Sequence, residues 1–261
     1  MRKRNGFTLI DLLVVMGVLV LLTAMLLPVL GRARSQAKVS ECQSNLRQWG
    51  LILQMYADDN KGRLPNGHIV GNACWWSFSW IDDYPASGAQ DILCCPVAND
   101  PMDQTTAFNP WMSSLPPHHV GSYGINVWHI AWDNCAPSIV PSLLGHPINQ
   151  WENIYHEGAN NIPVLLDCIL PVAGPVHHIK PPPYENVPIS GSDGVLDPFC
   201  INRHDGGINS LFLDWSVRKV GLKELWTLKW HKEFNTANKW TSAGGVQPSD
   251  WPDWMRQFKD Y

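Results

Sequence analysis

Hydrophobic and polar positions fall into three successive patterns along this chain. Met1-Arg2-Lys3-Arg4 is basic, and from Phe7 to Leu30 the residues are almost all apolar, with Asp11 as the sole charge. Those 24 residues make a helix of about 36 Å at 1.5 Å per residue, enough to cross a hydrocarbon core of about 30 Å. The pattern then becomes periodic. Val39, Cys42, Leu46, Trp49, Leu53 and Tyr56 recur at alternating steps of three and four, the apolar stripe of one helical face. Arg32, Arg34, Lys38, Glu41, Gln43, Arg47 and Gln48 occupy the other face. Asp58-Asp59-Asn60-Lys61-Gly62 supplies turn residues and a glycine stop, so one helix from about Phe7 to Ala57 is predicted. Its first half is apolar all round, and its second half is suited to packing on a globular head.

Beyond Lys61 the pattern breaks into short pieces. Twenty-one prolines, with clusters at Pro116-Pro117 and Pro181-Pro182-Pro183, predict loops and short strands over long helices. Near the C-terminus Phe199 to His204 and Ile208 to Leu213 read as strands flanking the tight-turn signal Asp205-Gly206-Gly207, with Val217 to Val220 as a third strand. The 201 residues from Lys61 to Tyr261 are enough for a single core.

Charge sharpens the reading of the N-terminus. Arg2, Lys3 and Arg4 before the apolar run predict a cytoplasmic start with the bulk of the chain outside, by the positive-inside rule. A carboxylate inside a membrane helix costs about 2.5–3.5 kcal/mol at the bilayer centre, so Asp11 is a candidate functional residue with another copy's α-amino group as its expected partner; the simpler alternative is that it snorkels to the interface. A secretory signal would be cut after its apolar stretch, whereas the Gly6-Phe7 junction lies before it. Cutting at Gly6-Phe7 leaves the apolar segment in the mature chain. The net charge of −4 becomes −7 without residues 1–6, and this acidic balance with no basic block argues against nucleic acid as a partner.

Gly6-Phe7-Thr8-Leu9-Ile10-Asp11-Leu12-Leu13-Val14-Val15 resembles the class III signal of type IV prepilins and type II secretion pseudopilins. The resemblance implies cleavage after Gly6 by a prepilin peptidase and methylation of the new terminus at Phe7. It implies that Asp11, where the family usually has glutamate, neutralises a neighbouring subunit's amino terminus as helices stack. Pro28 falls where many pilins carry a helix kink. A second resemblance covers Arg203 to Asp214: His204 and Asp214 have nine residues between them, similar to the H-X9-DG segment of a group of prepilin-type proteins abundant in planctomycetes and verrucomicrobia. The final glycine of that pattern is Trp215 here. Cys95-Pro96 and Ser122-Tyr123-Gly124-Ile125-Asn126 are similar to further blocks of the same group.

Together these resemblances imply a pilin-like α+β fold, with a long N-terminal transmembrane and amphipathic helix packed on a mostly β, loop-rich head. The expected organisation is a leader at 1–6, a membrane or filament-core helix at 7–30, its amphipathic continuation at 31–60, and a head at 61–261 carrying the H-X9-DG type segment at 203–215. The implied function is that of a structural pseudopilin-like subunit of a type II secretion pseudopilus or type IV pilus-like filament. Its implied partners are prepilin peptidase and other pseudopilin subunits. Its implied location is the inner membrane as a single-pass protein with the head in the periplasm, in a pilus-like filament or at the cell surface.

Candidate chemistry in the head is sparse. No nucleophile elbow, phosphate loop, HExxH or paired-acid motif is present, so no enzymatic activity is expected; a glycan hydrolase would need two carboxylates about 5–10 Å apart in a cleft. His204 and Asp214 read as a structural turn and strand-end pair, with no further convergent metal ligand evident. Asp193, Asp197 and Asp205 are weak calcium candidates in an oxygen-rich segment that lacks EF-hand spacing, the alternative being a solvated loop. His118-His119 and His177-His178 carry no distinct signal. Seven cysteines, at 42, 74, 94, 95, 135, 168 and 200, follow the apolar run. In an oxidising compartment Cys42 on the helix is a candidate to bridge to Cys94 or Cys95, or these remain buried thiols. Fourteen tryptophans are several times the usual share. They build the core of a proline-broken head or, as an alternative function, give a membrane-anchored module exposed faces for glycan or polymer binding.

Overall fold

A computed structural model describes residues 9–65, 68–70, 73–75, 92–98, 108, 110–112, 120–129, 150–175, 180–185 and 196–261. Gly6, Phe7, Asp193 and the two histidine pairs lie outside these residues. The chain is α+β. Helix α1, Leu9–Asp59, runs without a break through Pro28. From residue 9 to 38 every side chain is exposed, including Asp11 and the apolar run from Leu9 to Leu30. This part is long and apolar enough to cross a membrane, as an anchor or a signal sequence would be.

The remainder of α1 is one-sided. Cys42, Asn45, Leu46, Trp49, Gly50, Leu53 and Ala57 are buried, whereas Arg47 and Gln48 face solvent. The stripe from Val39 to Tyr56 is therefore the face that meets the head, with Val39 and Tyr56 half-buried at its ends. The helix stops where the turn residues predict. Lys61 and Gly62 take left-handed φ of 59° and 81°, and Gly62 N donates to Ala57 O at 2.7 Å, the six-residue closure of a Schellman motif.

The head centres on a five-stranded mixed sheet. Strands β1 (His68–Val70) and β2 (Ala73–Trp75) form a separate pair, as do β3 (Trp111–Met112) and β4 (Val120–Gly121). The main sheet contains β5 (Tyr123–Asn126), β6 (Pro163–Asp167), β7 (Val172–Ala173), β8 (Gly207–Phe212) and β9 (Val217–Gly221) in the order β7-β5-β6-β8-β9. All its neighbours are antiparallel except β5 and β7. All residues of β5, β6 and β8 are buried, so these three central strands are covered on both faces. Helix α1 covers β8 and β9. Gly50 permits the approach, because a Cβ there would sit 3.0 Å from Leu211 Cδ1.

The C-terminal meander differs from the sequence expectation in one strand. β8 and β9 form as predicted, but Phe199 to His204 is a chain of local turns. Pro198 has no N–H for a ladder, and Phe199, Cys200, Ile201 and Arg203 each donate backbone hydrogen bonds to carbonyls two to four residues back. The predicted tight turn is present. Asp205 and Gly206 both have positive φ, 50° and 80°, and His204 N donates to Gly207 O at 3.0 Å.

Tryptophan serves the interior. Trp49, Trp111, Trp128, Trp151, Trp226, Trp230 and Trp251 are buried and Trp215, Trp240 and Trp254 partly so; no described tryptophan side chain is exposed. Buried indole N–H groups mostly end on carbonyls, as Trp49 does on Ile92 O, Trp128 on Pro175 O and Trp230 on Leu225 O.

Candidate metal centre

Cys42, Cys95, Asp167 and His204 converge where α1 meets the sheet. Cys42 comes from the buried face of α1, Cys95 from the loop at 92–98, Asp167 from the end of β6, and His204 from the turn before β8. One ligand atom from each lies within 4.8 Å of the other three, and all four residues are buried, at 0–3% exposure. His204 Nε2 stands 3.3 Å from Cys95 Sγ and 3.1 Å from Asp167 Oδ2. Cys42 Sγ is 3.7 Å from both Asp167 oxygens.

Local backbone structure aims these groups. In a strand, Arg203 and His204 would point to opposite faces. The turn that replaces the strand, with Arg203 N donating to Ile201 O, sends both side chains to Asp167. Asp167 Oδ1 accepts from Arg203 NH1 at 3.1 Å, and Oδ2 accepts from Asn209 N of β8 at 2.8 Å. Tyr123 of β5 donates its hydroxyl to Cys42 Sγ at 3.3 Å. Ser122 holds the Cys95 loop by accepting Cys95 N at 2.6 Å on its hydroxyl, and its carbonyl accepts from Arg203 NH1 at 2.6 Å. Gly124 leaves room for the loop after β6, since a Cβ there would meet Leu170 O at 2.4 Å. The Cys95-Pro96, Ser122 to Asn126 and His204 segments, distant in sequence, thus meet around one carboxylate.

Electrostatics follow from those contacts. Burial would raise Asp167, but the hydrogen bond from His204 and the Arg203 charge hold its carboxyl below the usual range. Burial likewise opposes charge on His204, yet its hydrogen bonds with Asp167 and Cys95 hold it up at about 9. At Cys95, burial is outweighed chiefly by the hydrogen bonds to Cys42 and His204, which bring the thiol down to about 7. Burial drives Cys42 far up, and its Cys95 and Asp167 neighbours add to the shift. A catalytic Cys-His-Asp relay needs cysteine and carboxylate on opposite ring nitrogens. Here both face Nε2. Two thiols, an imidazole and a carboxylate can hold a metal ion, and calcium, which takes six to eight oxygens, does not suit them.

The other sequence-derived candidates disperse. Asp214 is exposed, and its Oδ1 accepts from Ser216 N at 3.0 Å and Ser216 Oγ at 2.6 Å within the β8–β9 turn, whereas His204 turns to Asp167 and Cys95. Asp197 is half-buried, and burial raises its carboxyl to about 6. Asp205 is exposed, its carbonyl accepting from Lys219 Nζ at 2.8 Å. Neither is among the grouped ligands, so the calcium expectation has no support among the described residues. Cys42, Cys94, Cys95, Cys168 and Cys200 are free thiols. Of the two partners expected for Cys42, Cys95 is beside it, whereas Cys94 Sγ donates to Val120 O at 3.5 Å.

Asp167 is the residue that sequence reasoning passed over, along with its partner Arg203. Its one signal is position: the apolar run Val164-Leu165-Leu166 ends on a carboxylate with no turn residue beside it. Compared with known proteins, the chain matches no family model, no curated sequence and no solved structure.

Proposed function

We propose that this chain is a pilin-like structural subunit, exported and held at a membrane by residues 7–30, with its head outside the cytoplasm. The observation that carries the proposal is the continuity of α1. One helix joins an exposed apolar segment with a lone carboxylate, Asp11, to a segment whose buried face belongs to the head's core. The signal-like sequence before it, basic and then Gly6-Phe7, supports cleavage ahead of the apolar run rather than behind it. On this reading prepilin peptidase cuts after Gly6, Phe7 becomes the methylated terminus, and Asp11 accepts a neighbouring subunit's amino group during packing.

Mass spectrometry of the mature N-terminus from the native host tests this. An N-methylated Phe7 is expected, and an intact Met1 or a start near Gln36 overturns the reading. An Asp11→Ala variant is expected to be cleaved normally but to be lost from assembled material; loss of cleavage instead contradicts the roles assigned to Gly6 and Asp11.

A further inference from the structure

The geometry points to a closed tetrahedral site for a zinc-class divalent cation, made by Cys42, Cys95, Asp167 and His204, that clamps α1 to the head. This inference does not rest on the pilin-like reading. It stands on four features of the cluster.

The first is the donor set. Two thiolates, one imidazole and one carboxylate are ligands that zinc takes in four-coordinate sites, and none of the four residues is open to solvent. The second is spacing. Bond lengths of about 2.3 Å to sulfur and about 2.0–2.1 Å to nitrogen or oxygen give tetrahedral edges of about 3.3–3.4 Å between nitrogen and oxygen, about 3.5–3.6 Å from sulfur to either, and about 3.8 Å between sulfurs. The observed edges are 3.3 Å for Cys95 to His204, 3.1 Å for Asp167 to His204 and 3.7 Å for Cys42 to Asp167.

The third is proton placement. One imidazole nitrogen faces both a sulfur and a carboxylate oxygen, but a single N–H can be directed well at only one of them. A cation at the centre is met by all four atoms together. The fourth is charge. Two thiolates and one carboxylate bring three negative charges, which a divalent ion and the buried Arg203 guanidinium balance. Arg203 and Asn209 on Asp167, and Tyr123 on Cys42, are outer partners of the kind that orient metal ligands.

Four protein ligands with no open position make the site structural. Cys42 lies on the helix and the other three ligands on the head, so the ion ties the two together at a point 17 residues before the helix ends. It also keeps the two neighbouring thiols, Cys42 and Cys95, from oxidising to a disulfide.

The test uses the tag-free full chain in detergent. Elemental analysis is expected to find one zinc per chain, falling at least tenfold in the Cys95→Ser/His204→Ala double variant. Exchange with cobalt is expected to give the visible absorption of tetrahedral thiolate-bound Co(II), absent from the double variant. Should that variant fail to fold, the wild-type cobalt spectrum decides alone. A metal-free chain whose peptide map under non-reducing conditions contains a Cys42–Cys95 disulfide overturns the inference. So does a chain that takes up no zinc or cobalt with both thiols free, or a folded double variant that retains its zinc. The N-terminal mass is read separately, so failure of either proposal is recognisable without the other.

Discussion

His204 and His129 are equally buried, each 3% exposed, yet the protein drives them to opposite charge states. His129 packs among tryptophans, 6.3 Å centroid to centroid from Trp151, with its Nε2 3.0 Å from Pro163 O. Burial dominates there and His129 falls to about 3, a neutral ring at any physiological pH. Burial opposes charge on His204 as well, but it has Asp167 against it and, with no metal bound, stands at about 9. Burial therefore does not decide charge in this head; the neighbouring group does. One end of the sheet is a charged junction with α1, and the other is a neutral aromatic interior.

Removing the carboxylate should break this contrast most severely. An Asp167→Asn variant leaves the buried Arg203 and His204 without their counter-charge, a change expected to cost about 3–5 kcal/mol. Chemical denaturation in the presence of chelator measures it with any metal contribution removed. A loss below 1 kcal/mol would mean that the junction is held by apolar packing alone.

Acid should expose the neutral histidine next. The folded pKa of His129 is depressed, so between pH 6.5 and about 3 the unfolded chain binds a proton that the folded one refuses. Stability is then full above pH 6.5 and is lost as pH falls, at up to about 1.4 kcal/mol per unit. A His129→Gln variant keeps a donor for Pro163 O and should show a shallower decline over that window. An unchanged pH profile of unfolding would show that His129 is not the group responsible.

The smallest effect belongs to a neutral hydrogen bond in the aromatic interior. Trp151 Nε1 donates to Trp230 O at 2.9 Å, and the same carbonyl accepts Asn126 Nδ2 at 2.9 Å. Trp151→Phe leaves that carbonyl satisfied, so thermal unfolding should report a loss of about 0.5–1.5 kcal/mol, well under that of Asp167→Asn. Equal losses in the two variants would erase the distinction between a charged and a neutral region.

The two regions also differ in how far they could be read from sequence. Helix α1 was legible because its signals are local: an apolar run, a stripe at steps of three and four, and a Lys61-Gly62 stop. The β8–β9 hairpin and the left-handed turn at Asp205-Gly206 were legible for the same reason. Phe199 to His204 misled, since a continuous apolar run bounded by turn residues looks alike whether it pairs in a sheet or is buried as successive turns. The cluster was legible only in part. In sequence Cys42 and Cys95 read as a disulfide candidate and His204 as half of a strand-end pair, and Asp167 carries no signal that ties it to them. A lone carboxylate closing a buried strand has no periodicity to betray it.

Sequence alone determined what depends on neighbours within a few residues: where the long helix runs and ends, which of its faces is apolar, that the start of the chain is basic and then uniformly hydrophobic, and where the last hairpin lies. Only tertiary structure decided that Cys95 rather than Cys94 faces Cys42, that His204 turns toward Asp167 and away from Asp214, and that the described tryptophans are buried or partly buried in and around the core. The cluster alone needs groups as much as 162 residues apart, Cys42 and His204, to arrive at one point. Desolvation, charge pairing and ligand geometry act only once the fold has brought them together.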